Sequence, residues 1–327
     1  MESITKNRQP LSTLREMVAA AYGVSQIPDG DSWAYELGHG WFNVAYRVRL
    51  RDGHQVVFKI APPPGVEVMT YERGAMATEL AALELIRAHT TVPVPVVDFA
   101  DTSRELVDAP WFAMPYVDAD NFGLIRKTLS ACEQEILDDA LGGVTRELNS
   151  IRGAGFGPLT GPAGATWREY FLGLLEDVLG DGERRGVDLG HDYASIRALI
   201  AAEAACLDAV IEPRFVEWDL WANNVLVRDG KIVCVIDHER AFYGDPLIEA
   251  GFVATQLTAF GSSAAFVRGY GKTGFTPNEE ARRRLYGLHL SLIMVIETVF
   301  RDHADPQQYD WARARLSEAL ALFTPTR

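Results

Sequence analysis

One stretch of this 327-residue chain, Glu217-Trp-Asp-Leu-Trp-Ala-Asn-Asn-Val-Leu-Val-Arg-Asp-Gly-Lys-Ile-Val-Cys-Val-Ile-Asp237, limits its fold more than any other. Residues 225–228 and 231–236 are two runs rich in β-branched and apolar side chains, and Asp229-Gly230 between them signals a two-residue hairpin turn. A tight turn there predicts Asn224 opposite Val235. Asp237 then lies two residues further along the partner strand, on the same face, at a diagonal separation of roughly 7–8 Å. That gap suits an amide and a carboxylate sharing a cation. Asp219, five residues before Asn224, falls on the loop leading into the first strand.

Phosphoryl transfer asks for this set: a carboxylate to accept or orient the acceptor hydroxyl, then an Asn and an Asp on Mg²⁺. The order Asp219-x4-Asn224, with Ile236-Asp237 on the next strand, resembles the kinase-like antibiotic phosphotransferases, typified by the aminoglycoside phosphotransferases. That family's loop reads His-Gly-Asp-x4-Asn. Here Glu217 and Trp218 stand in place of the His and the Gly.

Far upstream, residues 37–48 (Leu-Gly-His-Gly-Trp-Phe-Asn-Val-Ala-Tyr-Arg-Val) read as strand, glycine-rich turn and strand, and residues 55–60 form a third strand carrying Lys59. Gly38 and Gly40 let backbone N–H groups approach phosphate oxygens without a Cβ in the way. Lys59 can then reach the α- and β-phosphates as a point charge. Asn43 fits the Gly-Gly-x-Ser-Asn variant of this loop that the resemblance supplies. After Pro62-Pro63-Pro64-Gly65, the apolar positions Met69, Met76, Leu80, Leu83 and Ile86 recur at helical spacing. In the family, a helix bearing the partner of the lysine ends shortly before a Val-Pro-x-Pro strand, here Val92-Pro93-Val94-Pro95. Glu79 is thereby expected to pair with Lys59, with Glu72 two turns earlier as its competitor. Residues 111–117 form an apolar strand followed by an acidic turn. The resemblance makes it a hinge, with the Pro115 carbonyl and the Val117 N–H reading the purine edge; Pro115 keeps its carbonyl though it lacks an N–H.

Helical spacing is also present over residues 130–151, 192–211, 279–301 and 311–323, and a Gly/Pro-rich connector at 152–164 leads into a helix at Thr166-Trp167-Arg168. The connector and helix are similar to the helical lobe of hygromycin-type phosphotransferases. In Gly244-Asp245-Pro246, Asp245 reads as a helix cap, with bracing of the Asp219 loop as the alternative. The resemblance runs from about residue 35 to the C-terminus, with residues 1–31 as an added helical segment. It implies an α+β, protein-kinase-like two-lobe fold. Residues 1–117 make a small β-rich N-lobe, residues 118–327 a larger, mostly helical C-lobe, and the site lies between them.

A hydrophobic content of 48% is ample for a core. No run of eighteen apolar residues occurs, and residues 1–15 are polar without a signal-peptide core, so a cytoplasmic enzyme with no membrane partner is expected. A net charge of −14 argues against nucleic acid, which is gripped by Lys and Arg. Cys132, Cys206 and Cys234 are odd in number and far apart, so no disulfide framework is implied. Cys234 and His238 have Cys-x3-His spacing, but Cys234 sits in an apolar strand and reads as core.

The resemblance implies transfer from ATP or GTP, with Mg²⁺, to a hydroxyl of a small molecule, an antibiotic above all, by a monomer or weak dimer. Lys59 and the glycine loop hold the donor, Asn224 and Asp237 the Mg²⁺, and Asp219 the attacking hydroxyl. Two other readings stay open: a metabolite kinase acting on an amino alcohol or sugar, and a catalytically dead nucleotide-binding module. Loss of the His and Gly hints at the last; retention of Lys59, Asp219, Asn224 and Asp237 opposes it. Few residues separate Asp237 from the next helical segment, which leaves no activation segment to bind a peptide. Glu217 beside Asp219 needs a donor, since neighbouring carboxylates raise a pKa. Arg240 or a backbone N–H is expected to supply it, making Glu217 a loop brace. Trp218 and Trp221 read as packing, with stacking on an acceptor ring as the alternative. The acceptor pocket is expected from the helices and from Asp237, His238, Glu239 and Arg240.

Overall fold

The computed structural model describes residues 3–38, 40–164, 166–260, 262–302 and 306–324. His39 of the glycine loop lies outside them. The chain divides into two compact units, the first made of Met1–Val68, Pro95–Asp118 and Arg301–His303.

In the first unit, helix α1 (Leu11–Tyr22) precedes strands β1 (Ala34–Glu36), β2 (Val44–Arg49) and β3 (Gln55–Ile60), then β4 (Phe99–Asp101) and β5 (Trp111–Pro115). They form one antiparallel sheet in the order β1-β2-β3-β5-β4. Alternation in β2 buries Val44, Tyr46 and Val48 while Arg49 faces water. These residues meet Phe58, Ile60 and Trp111, and α1 adds Leu14, Met17 and Val18 to the same core. The expected helix within residues 1–31 is α1. The expected three strands are β1 to β3, with β1 ending at Glu36, before Leu37.

Met69–Val94, Ala119–Phe300 and Ala304–Arg327 make up the second unit. It opens with α2 (Ala75–His89), β6 (Asp120–Asn121), α3 (Phe122–Ile125), α4 (Ala131–Leu148), β7 (Gly157–Pro158), α5 (Trp167–Arg184) and α6 (Tyr193–Glu203). Strands β8 (Arg214–Val216), β9 (Val225–Arg228), β10 (Lys231–Val235) and β11 (Phe242–Gly244) follow. Helices α7 (Ala250–Val253), α8 (Ala264–Tyr270), α9 (Pro277–Phe300) and α10 (Pro306–Ala321) complete it. The sequence reading groups the Glu79 helix with residues 1–117. By packing it belongs here: Met69, Ala82, Ile86 and Val92 are buried in one core with Leu148, Trp167 and Phe171.

Helix α9 is the axis of that core and is buried along most of its length. Its Tyr286 hydroxyl accepts from the Trp167 indole N–H at 2.8 Å and donates to Asp245 at 2.6 Å. Arg282 Nε also donates to Asp245, at 2.8 Å. Asp245 does cap the following turn, accepting from the Leu247 N–H, and in addition neutralises a buried arginine. A second buried network links Glu249 to α4. Its Oε1 accepts from Asn149 Nδ2 at 2.7 Å and from the Glu217 N–H at 3.1 Å, and the Tyr270 hydroxyl donates to Asn149. Burial pushes the Glu249 carboxyl up to about 8, so it is largely a neutral acid at pH 7.

The hairpin is present, but its register differs from expectation. Arg228 pairs with Lys231 and Val227 with Ile232; then Leu226 pairs with Cys234 and Val225 with Val235. Val233 is a β-bulge that shifts the ladder by one residue. Asn224 therefore faces Ile236, whose N–H donates to the Asn224 carbonyl at 3.0 Å, and not Val235. Regular pairing ends there. Asp237 is placed by its own left-handed backbone, φ +71°, rather than by strand alternation.

Two glycines let α4 and α8 touch through their backbones. A Cβ on Gly142 would overlap the Phe266 carbonyl, and one on Gly269 the Asp139 carbonyl. Gly173 in α5 has open space instead. Gly269→Ala should thus cost about 1–3 kcal/mol through overpacking, whereas Gly173→Ala should gain about 0.5–1 kcal/mol from helix propensity. Denaturant unfolding checks both, and equal effects of the two would refute the close crossing. Glu249 gives a pH prediction. Its folded pKa lies above the ordinary 4.5, so the folded state holds the proton longer and this group's contribution to stability falls as pH rises from 4.5 to about 8. Glu249→Gln should flatten thermal midpoints across that window; an unchanged slope would show that Glu249 ionises normally.

Candidate functional site

The loop joining β8 to β9 carries Glu217, Trp218 and Asp219. The Asp219 N–H donates back to the Glu217 carbonyl at 2.5 Å, a three-residue turn with Trp218 at its centre. Trp218 has φ +36°, a conformation that costs an L-residue roughly 1–2 kcal/mol and that glycine adopts freely. This is the position where the resembling family has glycine. The ring offsets the strain by burial: it is 4% exposed, with centroids 5.6 Å from both Tyr71 and His289. Burial pushes His289 down to about 3, so it meets Trp218 as a neutral ring. Trp218 is a packing residue.

Glu217 is buried, and its partner is His238. His238 Nδ1 lies 2.8 Å from Glu217 Oε1, and Nε2 lies 3.1 Å from the Val235 carbonyl. The Val235 carbonyl can only accept, so Nε2 donates to it and Nδ1 faces the Glu217 carboxyl. Burial by itself would lower the His238 pKa, but the Glu217 charge and bond outweigh it and the net shift is upward. Arg240, expected as the donor to Glu217, instead pairs with Asp219, Nη1 to Oδ2 at 3.1 Å. Its guanidinium lies over the Tyr71 and Trp218 rings at 5.1 and 5.3 Å, which fixes its direction.

Asp219 keeps part of its side chain in solvent, with 24% exposed. Its Oδ1 accepts from the Trp221 indole N–H at 2.9 Å, and Trp221 stacks on Phe260 at 5.2 Å. Burial raises the Asp219 pKa above the ordinary carboxylate value, Arg240 opposes the rise, and Asp237 adds to it. Asn224 Nδ2 donates to the Asp219 carbonyl at 2.9 Å, so the amide braces the loop through its nitrogen. From below, Asn121 Nδ2 donates to the Asn223 carbonyl at 2.6 Å.

Glu79, Asp237 and Glu239 form a group whose carboxylate oxygens lie within 4.8 Å of one another. Glu72, the competitor of Glu79, accepts from the Met69 N–H at 2.9 Å and so caps its own turn. Cys234 is buried within β10 and is not part of that group among the described residues. In the first unit, Lys59 is buried on β3 between Ala45 and Phe112 in register, and Asn43 is buried at the end of the glycine turn. Gly40 is exposed, and a Cβ on Gly38 would meet nothing within 4 Å. Pro115 is exposed at the end of β5, and Val117, two residues on, is half-buried. Sequence reasoning missed the roles of His238, Glu249 and Asn149. His238 carried a signal, a titratable residue beside the expected metal ligand; the other two carried none.

Residues 34–287 match the model of the phosphotransferase enzyme family, APH. The fold is shared with a thermostable mutant of aminoglycoside phosphotransferase APH(4)-Ia solved with AMP-PNP and hygromycin B (TM-score 0.64, 16% identity, 96% of this chain and 100% of that one). It is shared too with a putative fructosamine-3-kinase from Thermobifida fusca (TM-score 0.66, 20% identity, 94% and 98%). A gentamicin–APH(2″)-IIa complex gives a TM-score of 0.65 at 16% identity, covering 95% of this chain and 96% of that one. No curated protein matches in sequence. The kinase-like fold expected from the sequence is thus the fold of the chain, and with a family match over most of its length the chain belongs to the APH phosphotransferase enzyme family and is a small-molecule phosphotransferase.

Proposed function

We propose that the chain transfers the terminal phosphoryl group of MgATP or MgGTP to a hydroxyl of a small molecule, an antibiotic being the favoured acceptor. The observation that carries this reading is the Asp219 loop: a partly exposed carboxylate aimed by Arg240 and Trp221, with the amide of Asn224 bonded to its backbone. Two fold relatives are named for aminoglycosides or their complexes and one as a putative fructosamine kinase, which supports a polar, hydroxyl-bearing acceptor. A sugar or amino-alcohol metabolite is the alternative. The enzyme works in the cytoplasm as a monomer or weak dimer in this reading. Among the described residues no helix is long and apolar enough to cross a membrane.

The residues fit the cation and the donor. Asp237 and Asn224 offer hard oxygen ligands, with Glu239 and Glu79 close to Asp237, and oxygen-only sets suit Mg²⁺. Among the described residues nothing beyond its chain neighbours lies within 4 Å of a Cβ built on Gly38, which supports an approach of phosphate oxygens to the backbone there. Lys59 serves the donor's phosphates, and Pro115 and Val117 its base. When bound, Mg²⁺ neutralises charge on the phosphate oxygens.

Asp219 receives the acceptor's O–H, and its raised pKa makes it a better base near neutral pH than an ordinary aspartate. As the acceptor oxygen bonds to the γ-phosphorus, the bond from that phosphorus to the β–γ bridging oxygen breaks. The hydroxyl proton passes to Asp219, and nucleoside diphosphate leaves. Arg240 holds the carboxylate in line throughout. Little covalent help is required, and positioning supplies most of the rate.

The test is an assay of purified protein with Mg²⁺, ATP or GTP, and panels of hydroxylated antibiotics, sugars and amino alcohols, read by mass for one added phosphate. On whichever acceptor responds, Asp219→Asn should lower turnover by about 10²–10⁴-fold while nucleotide affinity holds. Turnover within a factor of two of the parent would remove Asp219 from its role. The Glu217–His238 pair is tested by a double-mutant cycle. Glu217→Ala and His238→Ala each leave a buried charge uncompensated, a loss of about 3–5 kcal/mol in stability, with kcat falling as the loop loosens. The double variant should lose clearly less than the two singles combined. Strict additivity would show that the pair does not act as a unit.

A further inference from the structure

The family match begins at residue 34, yet residues 3–9 are tied closely to the glycine turn. Thr5 Oγ1 donates to the Trp41 carbonyl at 2.9 Å, and Lys6 Nζ to the Asn43 carbonyl at 2.8 Å. Lys6 Nζ also approaches Glu36 Oε1 at 3.9 Å with its side chain 1% exposed. Arg8 pairs with the same Glu36 at 2.7 Å, and the Gln9 N–H donates to the Tyr46 hydroxyl at 2.9 Å. The arm thus bonds to the end of β1, to two carbonyls within the turn, and to β2 beyond it.

Withdrawing an ammonium from water is costly unless its protons find acceptors, and a charged donor makes the stronger kind of hydrogen bond. Lys6 meets that cost against the Asn43 carbonyl and Glu36. The peptide is planar and trans, so a Trp41 carbonyl turned toward the arm turns the Phe42 N–H to the opposite side. The arm therefore sets which way a loop donor faces. It also brings a positive charge beneath the turn: Lys6 Nζ is 3.8 Å from where a Cβ on Gly40 would stand.

We propose that residues 3–9 are a strap belonging to the donor-nucleotide site, with Thr5 and Lys6 as positioning residues that fix the shape and positive potential of the glycine turn. This rests on the reading above, that the turn takes the donor's phosphates. The strap acts on the loop and touches no reacting atom.

The experiment is calorimetric titration of the full-length protein with MgATP and with MgGTP, alongside thermal melts. Lys6→Met should weaken the preferred nucleotide ~10–100-fold, the range for a hydrogen bond from a charged donor. Thr5→Val should weaken it about fivefold, as for a neutral bond, and Thr5→Ser, which keeps the hydroxyl, should restore affinity. Folded variants that bind within twofold of the parent would overturn the strap, as would a Thr5→Ser as weak as Thr5→Val. Were Lys6→Met not to fold, the Thr5 pair decides. A parent that binds neither nucleotide would instead overturn the donor-site reading, and the strap with it.

Discussion

The buried pair of Glu217 and His238 joins the Asp219 loop to the segment that follows β10. Two charges inside a protein are tolerable only when each is matched, and here the match is complete. His238 has a second acceptor in the Val235 carbonyl, and the backbone of Glu217 is held by a carboxyl that stays largely protonated, Glu249. Remove either partner and the other is stranded. The loop turn at Trp218, the direction of Asp219 and the brace from Asn224 all rest on that attachment.

The hairpin was legible because a β-branched run, an Asp-Gly turn and a second run obey short-range rules. Its register was not, because the Val233 bulge is announced by no Gly or Pro and one extra residue changes every partner beyond it. The mistaken donor for Glu217 has a similar origin. Arg240 and His238 are two residues apart, and sequence does not say which of them a left-handed Asp237 turns toward the loop. The grouping of the Glu79 helix escaped for another reason: its apolar stripe predicts a buried face but not the core that receives it. Residues 3–9 carry no motif at all, and their bonds to the glycine turn are purely tertiary.

Trp218 stands where the family pattern has a glycine. Its backbone takes a positive φ, which glycine adopts freely, and a large ring stands where none is expected. Tyr71, His289 and Arg240 close around that ring, and Arg240 uses the same position to reach Asp219. Loss of glycine freedom is thus linked to the placing of the cation that pairs with Asp219. Glu217 stands where the family's loop has His, and it meets a histidine from the segment after β10, His238.

The bulge at Val233 fixes something else about this hairpin, its reading frame. Thirteen steps separate Asn224 from Asp237 along the chain, but one of them is spent sideways and adds no length to the ladder. A relative with twelve steps and a regular ladder would keep the same end-to-end reach with one fewer residue. Motif spacing in this fold is then a count of paired rungs, and chains of different spacing can bring the same two side chains to the end of the hairpin.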